Sequence, residues 1–248
     1  MISIIIPIYN EEENIIKTYE SIELALSKFD YEVIFINDGS KDKSEIKIKE
    51  IIKKSHKYKL ISLRRNYGQT AAMQAGFDYA QGKIIIPMDG DLQNDPNDIP
   101  NLINKINEGY DVVSGWRKNR FDKKLTRILP SRIANILISK ISGLYLHYYG
   151  CTLKAYRKEI LNDIKLYGEM HRFIPIYASW EGANVTEIPV NHRPRIAGKT
   201  KYGLSRIPRV VLDLLLIRFF DKSLDRPIHL FGKFGLFMFF IALILFLI

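Results

Sequence analysis

The sequence predicts an α/β fold, a mostly parallel sheet covered by helices on both faces, followed by an apolar tail. Two observations carry the sheet. Short β-branched runs at 2–8, 31–37, 58–63, 83–88 and 110–114 alternate with helical stretches such as 11–27, 41–54 and 69–80, the pattern of repeated βαβ units. Each run also ends in polar residues: Tyr9-Asn10-Glu11, Asn37-Asp38-Gly39-Ser40, Arg64-Arg65-Asn66, Asp89-Gly90-Asp91 and Arg117. Open parallel sheets bind ligands beyond the carboxyl ends of their strands, so these clusters are the candidate site. A third observation carries the tail. From Leu230 to Ile248 the chain has one charge, Lys233, and its length approaches the roughly 20 apolar residues that span a bilayer.

At 248 residues the chain has enough length for one well-buried core plus an appendage. Lys and Arg number 37 against 27 Asp and Glu, a formal charge of +10, which suits phosphate, nucleic acid or an anionic membrane surface. The lone cysteine, Cys151, rules out an internal disulfide, agrees with a reducing compartment and reads as a small buried residue. Met1 leads directly into Ile2-Ser3-Ile4-Ile5-Ile6 without a basic stretch, so no signal peptide is expected there. The apolar end predicts a membrane segment belonging to a longer parent protein.

Beyond Arg117, basic residues from Lys118 to Lys140 are interleaved with Leu125, Ile128, Leu129, Ile133 and Ile136. This reads as an amphipathic helix near 124–145 lying on a membrane surface or packed on the domain. The stretch 205–222 repeats the pattern just before the tail.

Asp89 and Asp91 form the strongest local signal. Two carboxylates one residue apart at a strand end suit a hard cation such as Mg²⁺ or Mn²⁺ shared with substrate phosphates, although an Asp-Gly turn followed by capping at Asp95-Pro96 explains the same residues structurally. Asp38 and Glu11 lie at the same edge and can accept hydrogen bonds from a nucleoside. Ser40 or Asp42 is expected to cap the following helix, and Asn10 with Glu13 forms a plausible capping pair for the first one.

The runs Ser3-Ile4-Ile5-Ile6-Pro7-Ile8-Tyr9-Asn10-Glu11, Asn37-Asp38-Gly39-Ser40, Asn66-Tyr67-Gly68-Gln69 and Asp89-Gly90-Asp91-Leu92-Gln93 together resemble the family 2 glycosyltransferases of the GT-A fold. Ser114-Gly115-Trp116-Arg117, Gly168-Glu169-Met170-His171-Arg172-Phe173 and His192-Arg193-Pro194-Arg195 through Lys199-Thr200-Lys201-Tyr202 narrow the likeness to the dolichol-phosphate-mannose synthase and bactoprenol glucosyltransferase group. The resemblance implies that Pro7, Tyr9, Glu11 and Asp38 line a nucleoside pocket, and that Asp89, Asp91 and Gln93 hold Mg²⁺ or Mn²⁺ and the donor diphosphate. It places Arg117, Arg127 and Ser131 at an acceptor phosphate and Arg195 with Lys199 on a loop over both phosphates. In that group an acidic residue usually precedes Tyr-Gly-Cys; here Tyr148 stands in its place.

These readings converge on metal-dependent, inverting transfer of one sugar from a UDP-glucose or GDP-mannose type donor to a polyprenyl or dolichyl phosphate. A phosphate monoester is already mostly dianionic near neutral pH, so such an acceptor needs placing more than deprotonating. The expected organisation is a catalytic domain over 1–204, an interfacial helix and linker over 205–228 and a membrane segment over 229–248. Lys222, Arg226 and Lys233 put the catalytic domain on the cytoplasmic face. Membrane lipids are the further partners, nucleic acid is not one, and assembly into a homo-oligomer is left open. The alternatives are a glycolipid or polysaccharide acceptor, against whose processive form the absent Gln-x-x-Arg-Trp signature speaks, and a catalytically silent scaffold that binds nucleotide sugar.

Overall fold

A computed structural model describes residues 1–118, 129–162, 164–194, 212, 219 and 227–247. The chain divides into two compact units, Met1–Gly203 and Leu204–Ile248. In the first, strands β1 (Ile2–Ile8), β2 (Tyr31–Asn37), β3 (Tyr58–Ser62), β4 (Ile84–Pro87), β5 (Val112–Trp116), β6 (Lys154–Arg157) and β7 (Val185–Pro189) form one sheet in the order β3-β2-β1-β4-β6-β5-β7. β6 runs antiparallel to both β4 and β5, and every other neighbouring pair is parallel. The sheet is thus mostly parallel, as the alternation predicts.

β1 lies inside the sheet, and Ile2, Ile4, Ile5, Ile6 and Ile8 are all buried. Each such side chain contributes about 1.5–3 kcal/mol when fully removed from water, so this strand is the apolar spine of the fold. Helices α1 (Ile15–Ala25), α2 (Ser44–Lys54), α3 (Gln69–Tyr79) and α4 (Ile99–Asn107) connect the first five strands. α3 approaches the sheet closely: a Cβ on Gly76 would sit 2.3 Å from the Ile5 side chain. β5 begins at Val112 rather than at 110 because Gly109 turns the chain at φ +108° and Asp111 is held by Arg157 at 3.1 Å.

Two capping expectations are corrected. Asn10 has φ +52° and lies outside α1, whose N-cap is Asn14; its side-chain oxygen accepts from the Lys41 N–H at 2.8 Å. Ser40 likewise does not cap α2, since its hydroxyl accepts from the Asn10 N–H at 3.0 Å, whereas Asp42 accepts from the Ser44 N–H at 3.0 Å. Both residues staple the loop after β1 to the loop after β2. Asp95 behaves as its sequence context predicts, accepting from the Asn97 N–H ahead of Pro96.

The remaining helices of this unit are α5 (Leu129–Ser142), α6 (Lys158–Asn162) and α7 (Ile174–Trp180). α5 falls within the expected 124–145 segment; the helix expected at 205–222 lies outside the described residues except for two isolated positions. In the second unit, α8 (Pro227–Leu247) has 21 residues, and its most apolar 18-residue stretch has a mean hydropathy of 2.4 with none of it buried. At 1.5 Å per residue such a helix is about 30 Å long, enough to cross a bilayer.

Candidate active site

β1 feeds β2 on one side of the sheet, while β4 lies on its other side. Strand order therefore reverses between β1 and β4, the place where open α/β sheets form a ligand crevice. The loop after β4 closes directly on the end of β1: a Cβ on Gly90 would meet Ile8 at 2.4 Å. A side chain at position 90 would therefore have to displace the end of the Ile8 side chain.

Asp89 and Asp91 are carried by this loop. The Asp89 N–H donates to Asn94 Oδ1 at 3.0 Å, and the Gln93 N–H donates to Asp91 Oδ1 at 3.1 Å. Between Asp91 and Gln93, Leu92 adopts φ +62°, a left-handed conformation that costs a branched residue about 1 kcal/mol and is tolerated where the surroundings impose it. Asp89 Oδ1 accepts from Gln69 Nε2 at 2.9 Å, and Oδ2 lies 3.8 Å from Arg117 Nη2. Burial and the charge of Asp91 push the Asp89 carboxyl above its ordinary range, against the opposing pull of Arg117. Two carboxylates forced to share a partly buried loop suit a divalent cation that offsets their repulsion. Among the described residues no cluster of three or more His, Cys, Asp or Glu could hold a metal alone, so Asp89 and Asp91 would supply only part of a coordination shell. Mg²⁺ commonly takes the remainder from phosphate and water. Gln93 lies beside the pair, and its carbonyl accepts from the Arg193 N–H at 3.0 Å.

Arg117 follows β5 and reaches Asp89 across the antiparallel β6 that separates β5 from β4. Its guanidinium lies 6.0 Å from the Tyr148 ring, so Tyr148 does face this arginine. Behind them, fully buried Lys154 on β6 donates to the carbonyls of Tyr149, at 3.1 Å, and Cys151. Burial lowers its pKa from 10.5 to about 8. Cys151 is buried, as expected.

The side expected to take a nucleoside is built differently. Asp38 follows β2 and is buried, with its two oxygens accepting from the Tyr67 and Gly68 N–H groups at 2.7 and 2.9 Å. Burial raises its pKa while these two donors oppose the rise. Glu11 accepts from Asn14 Nδ2 at 2.7 Å, and its own N–H donates to Ser44 Oγ at 3.0 Å. Pro7 and Tyr9, at the end of β1, are half-buried. The structure therefore brings together Pro7, Tyr9, Glu11, Asp38, Asp89, Asp91, Gln93 and Arg117 at the carboxyl edge of the sheet. Arg127, Arg195 and Lys199 lie outside the described residues; Ser131 lies on α5, but its side chain is outside them.

Three contributors were not singled out as site residues in the sequence: Gln69, Asn94 and Lys154. Gln69 belongs to the Asn66-Tyr67-Gly68-Gln69 motif, but its contact with Asp89 spans 20 residues of sequence. Asn94 sits just past Asp91 and could have been read as a loop staple. Lys154 gives no signal, since a lysine near a strand end is ordinarily solvated.

A carboxylate pair and an arginine thus meet at the switch point of a mostly parallel α/β sheet. Comparison with known proteins makes the class specific. Residues 3–165 match the family described as Glycosyl transferase family 2, and the chain belongs to that family. It is 43% identical over 241 residues to the dodecaprenyl-phosphate galacturonate synthase of Rhizobium johnstonii, covering 95% of this chain and 71% of that protein. It is 41% identical over 218 residues to the undecaprenyl-phosphate 4-deoxy-4-formamido-L-arabinose transferase of Salmonella choleraesuis, covering 86% of this chain and 66% of that one. The glucosyl-3-phosphoglycerate synthase of Mycobacterium tuberculosis, crystallised with Mn²⁺, UDP and phosphoglyceric acid, shares the fold with a TM-score of 0.68 at 19% identity, over 88% of this chain and 78% of that one.

Proposed function

We propose that this glycosyltransferase moves one sugar from a nucleotide-diphosphate donor to a polyprenyl phosphate at a membrane surface. The observation that carries this is the placement of Arg117 against Asp89, beside Asp91, at the switch point. A cation held next to the diphosphate carboxylates suits a reaction in which two phosphate groups must approach one another. Relatives named for dodecaprenyl and undecaprenyl phosphate support the acceptor class.

Asp38 and Glu11 orient the nucleoside, and Asp89 with Asp91 would hold Mg²⁺ or Mn²⁺ against the donor diphosphate. When bound, the divalent cation offsets the negative charge that gathers on the departing diphosphate. Arg117 holds the acceptor phosphate by charge-assisted hydrogen bonds. An oxygen of that phosphate attacks the anomeric carbon, forming the new C–O bond as the bond to the nucleoside diphosphate breaks. Attack from the opposite face inverts the anomeric configuration. No general base is required, because the attacking oxygen carries no proton at neutral pH.

The α8 helix would anchor the chain, with the catalytic domain on the cytoplasmic face because Lys222, Arg226 and Lys233 flank the entrance to the apolar segment. Digestion of the catalytic domain by protease in inverted but not right-side-out vesicles supports that face, and the opposite pattern contradicts it. The donor sugar is read from a panel. Radiolabelled UDP-glucose and GDP-mannose, with nucleotide forms of galacturonate and 4-deoxy-4-formamido-L-arabinose, are offered with undecaprenyl or dolichyl phosphate. Label entering the lipid phase only when a polyprenyl phosphate is present is the expected outcome. Label passing to a glycolipid or polysaccharide without polyprenyl phosphate would overturn the acceptor.

A further inference from the structure

The first turn of α3 touches three separate edges of the site. Upstream of it, the Tyr67 and Gly68 N–H groups are bound by the Asp38 carboxylate at the end of β2. Gly68 holds φ +96°, a conformation open to glycine, and this kink starts the helix at Gln69. Thr70 donates to the Gly168 carbonyl at 2.5 Å and meets His171 Nδ1 at 2.7 Å. Farther along, Gly76 presses the helix onto Ile5 and Ile36. The helix start is therefore fixed from the β2 side, from the 168–173 turn and from the sheet beneath. Gln69 is its first residue, and its side-chain amide donates to Asp89 Oδ1 at 2.9 Å.

We propose that Gln69 is a positioning residue: delivered by the Asp38-anchored turn, it holds the Asp89 carboxylate so that Asp89 and Asp91 meet a divalent cation and diphosphate together. This rests on the metal-dependent reading of the site given above. The chemistry favours an amide here. Arg117 already stands 3.8 Å from Asp89 Oδ2, and Oδ1 has a hydrogen-bond donor of its own. A neutral amide supplies one without a second full positive charge, which would compete with a metal ion for the carboxylate. Fixing the carboxylate in advance also removes the entropy that would otherwise be lost when the cation binds. The same turn joins Asp38 to Asp89 through the consecutive residues Tyr67, Gly68 and Gln69.

The test measures Mn²⁺ binding by the free-ion electron paramagnetic resonance signal in the presence of UDP, using full-length protein. Gln69→Leu keeps the bulk of the side chain and removes the donor. It is expected to weaken Mn²⁺ binding about tenfold or more, to leave metal-free UDP binding unchanged, and to lower kcat without raising KM for polyprenyl phosphate. A purely packing role would leave Mn²⁺ binding at the wild-type level once folding is matched by melting temperature. If Gln69→Leu does not fold, Gln69→Ala is read in the same way. Mn²⁺ affinity within twofold of wild type in the folded variant overturns the positioning role alone. Wild-type protein that binds no Mn²⁺ with UDP overturns this role together with the metal-dependent reading on which it rests.

Discussion

The two ends of the candidate site are built to opposite rules. At the end of β2, both Asp38 oxygens accept from backbone N–H groups within 2.9 Å, and the loops after β1 and β2 are stapled together by Asn10, Ser40 and Asp42. At the end of β4, two carboxylates crowd one loop, Arg117 stands 3.8 Å from Asp89, and a left-handed Leu92 lies between Asp91 and Gln93. One end is satisfied by the protein itself. The other holds charge and strain that a metal and two phosphates would relieve, which is the pattern expected where pre-organisation serves binding rather than stability.

The sharpest way to break this contrast is to remove charge from the crowded end. Asp91→Asn is expected to reduce turnover by two orders of magnitude or more, because it deletes one of two charged ligand candidates, while the melting temperature without ligand stays the same or rises. Unchanged turnover, or full activity in excess chelator, would return Asp89 and Asp91 to the role of an ordinary turn. Arg117→Ala is expected next in size, raising KM for polyprenyl phosphate about tenfold or more through loss of a charge-assisted contact. Equal losses toward donor and acceptor would place Arg117 elsewhere than at the acceptor phosphate.

Lys154 sharpens the contrast through stability. Its pKa falls from 10.5 to about 8 in the folded chain, so between those values the unfolded chain carries the extra proton and stability rises with pH. The penalty is fully present below about pH 8, on the order of 3 kcal/mol from the size of the shift, and disappears above the unfolded pKa. Thermal melts from pH 7 to 10 should show this rise in wild type and lack it in Lys154→Met; parallel curves would mean that the amine is not held as described. The smallest effect is expected at Tyr148→Asp. An acid facing Arg117 would raise transfer modestly if the acid usual in the resembling group is useful here, with no change in donor affinity. A neutral or harmful effect would assign the tyrosine to this chain's own arrangement.

The contrast also explains what could be read in the sequence. β1 to β4 and their polar ends were legible because every strand is an apolar run followed by a turn, and local pattern reports local structure. β6 and β7 were not. β6 is four residues long and holds a buried lysine, and β7 is a half-buried edge strand without clear alternation. The carboxylate pair was visible as Asp-x-Asp. Arg117 was visible as a polar strand end, but its approach to Asp89 and that of Gln69 were not, since both cross long sequence separations fixed by the strand order. The Asn10–Glu13 capping pair failed for a related reason: long-range bonds to Lys41 and Ser40 claim Asn10 before the local cap can form.

The central claim, a prebuilt nucleoside end and a diphosphate end completed by metal, is tested most directly by calorimetric titration of UDP into wild type and Asp91→Asn, each with Mn²⁺ and with chelator. The account predicts weak but equal binding by both proteins in chelator, and at least a tenfold gain with Mn²⁺ in wild type alone. Equal affinity for UDP with and without Mn²⁺ in wild type, or a full metal-dependent gain in Asp91→Asn, would contradict it.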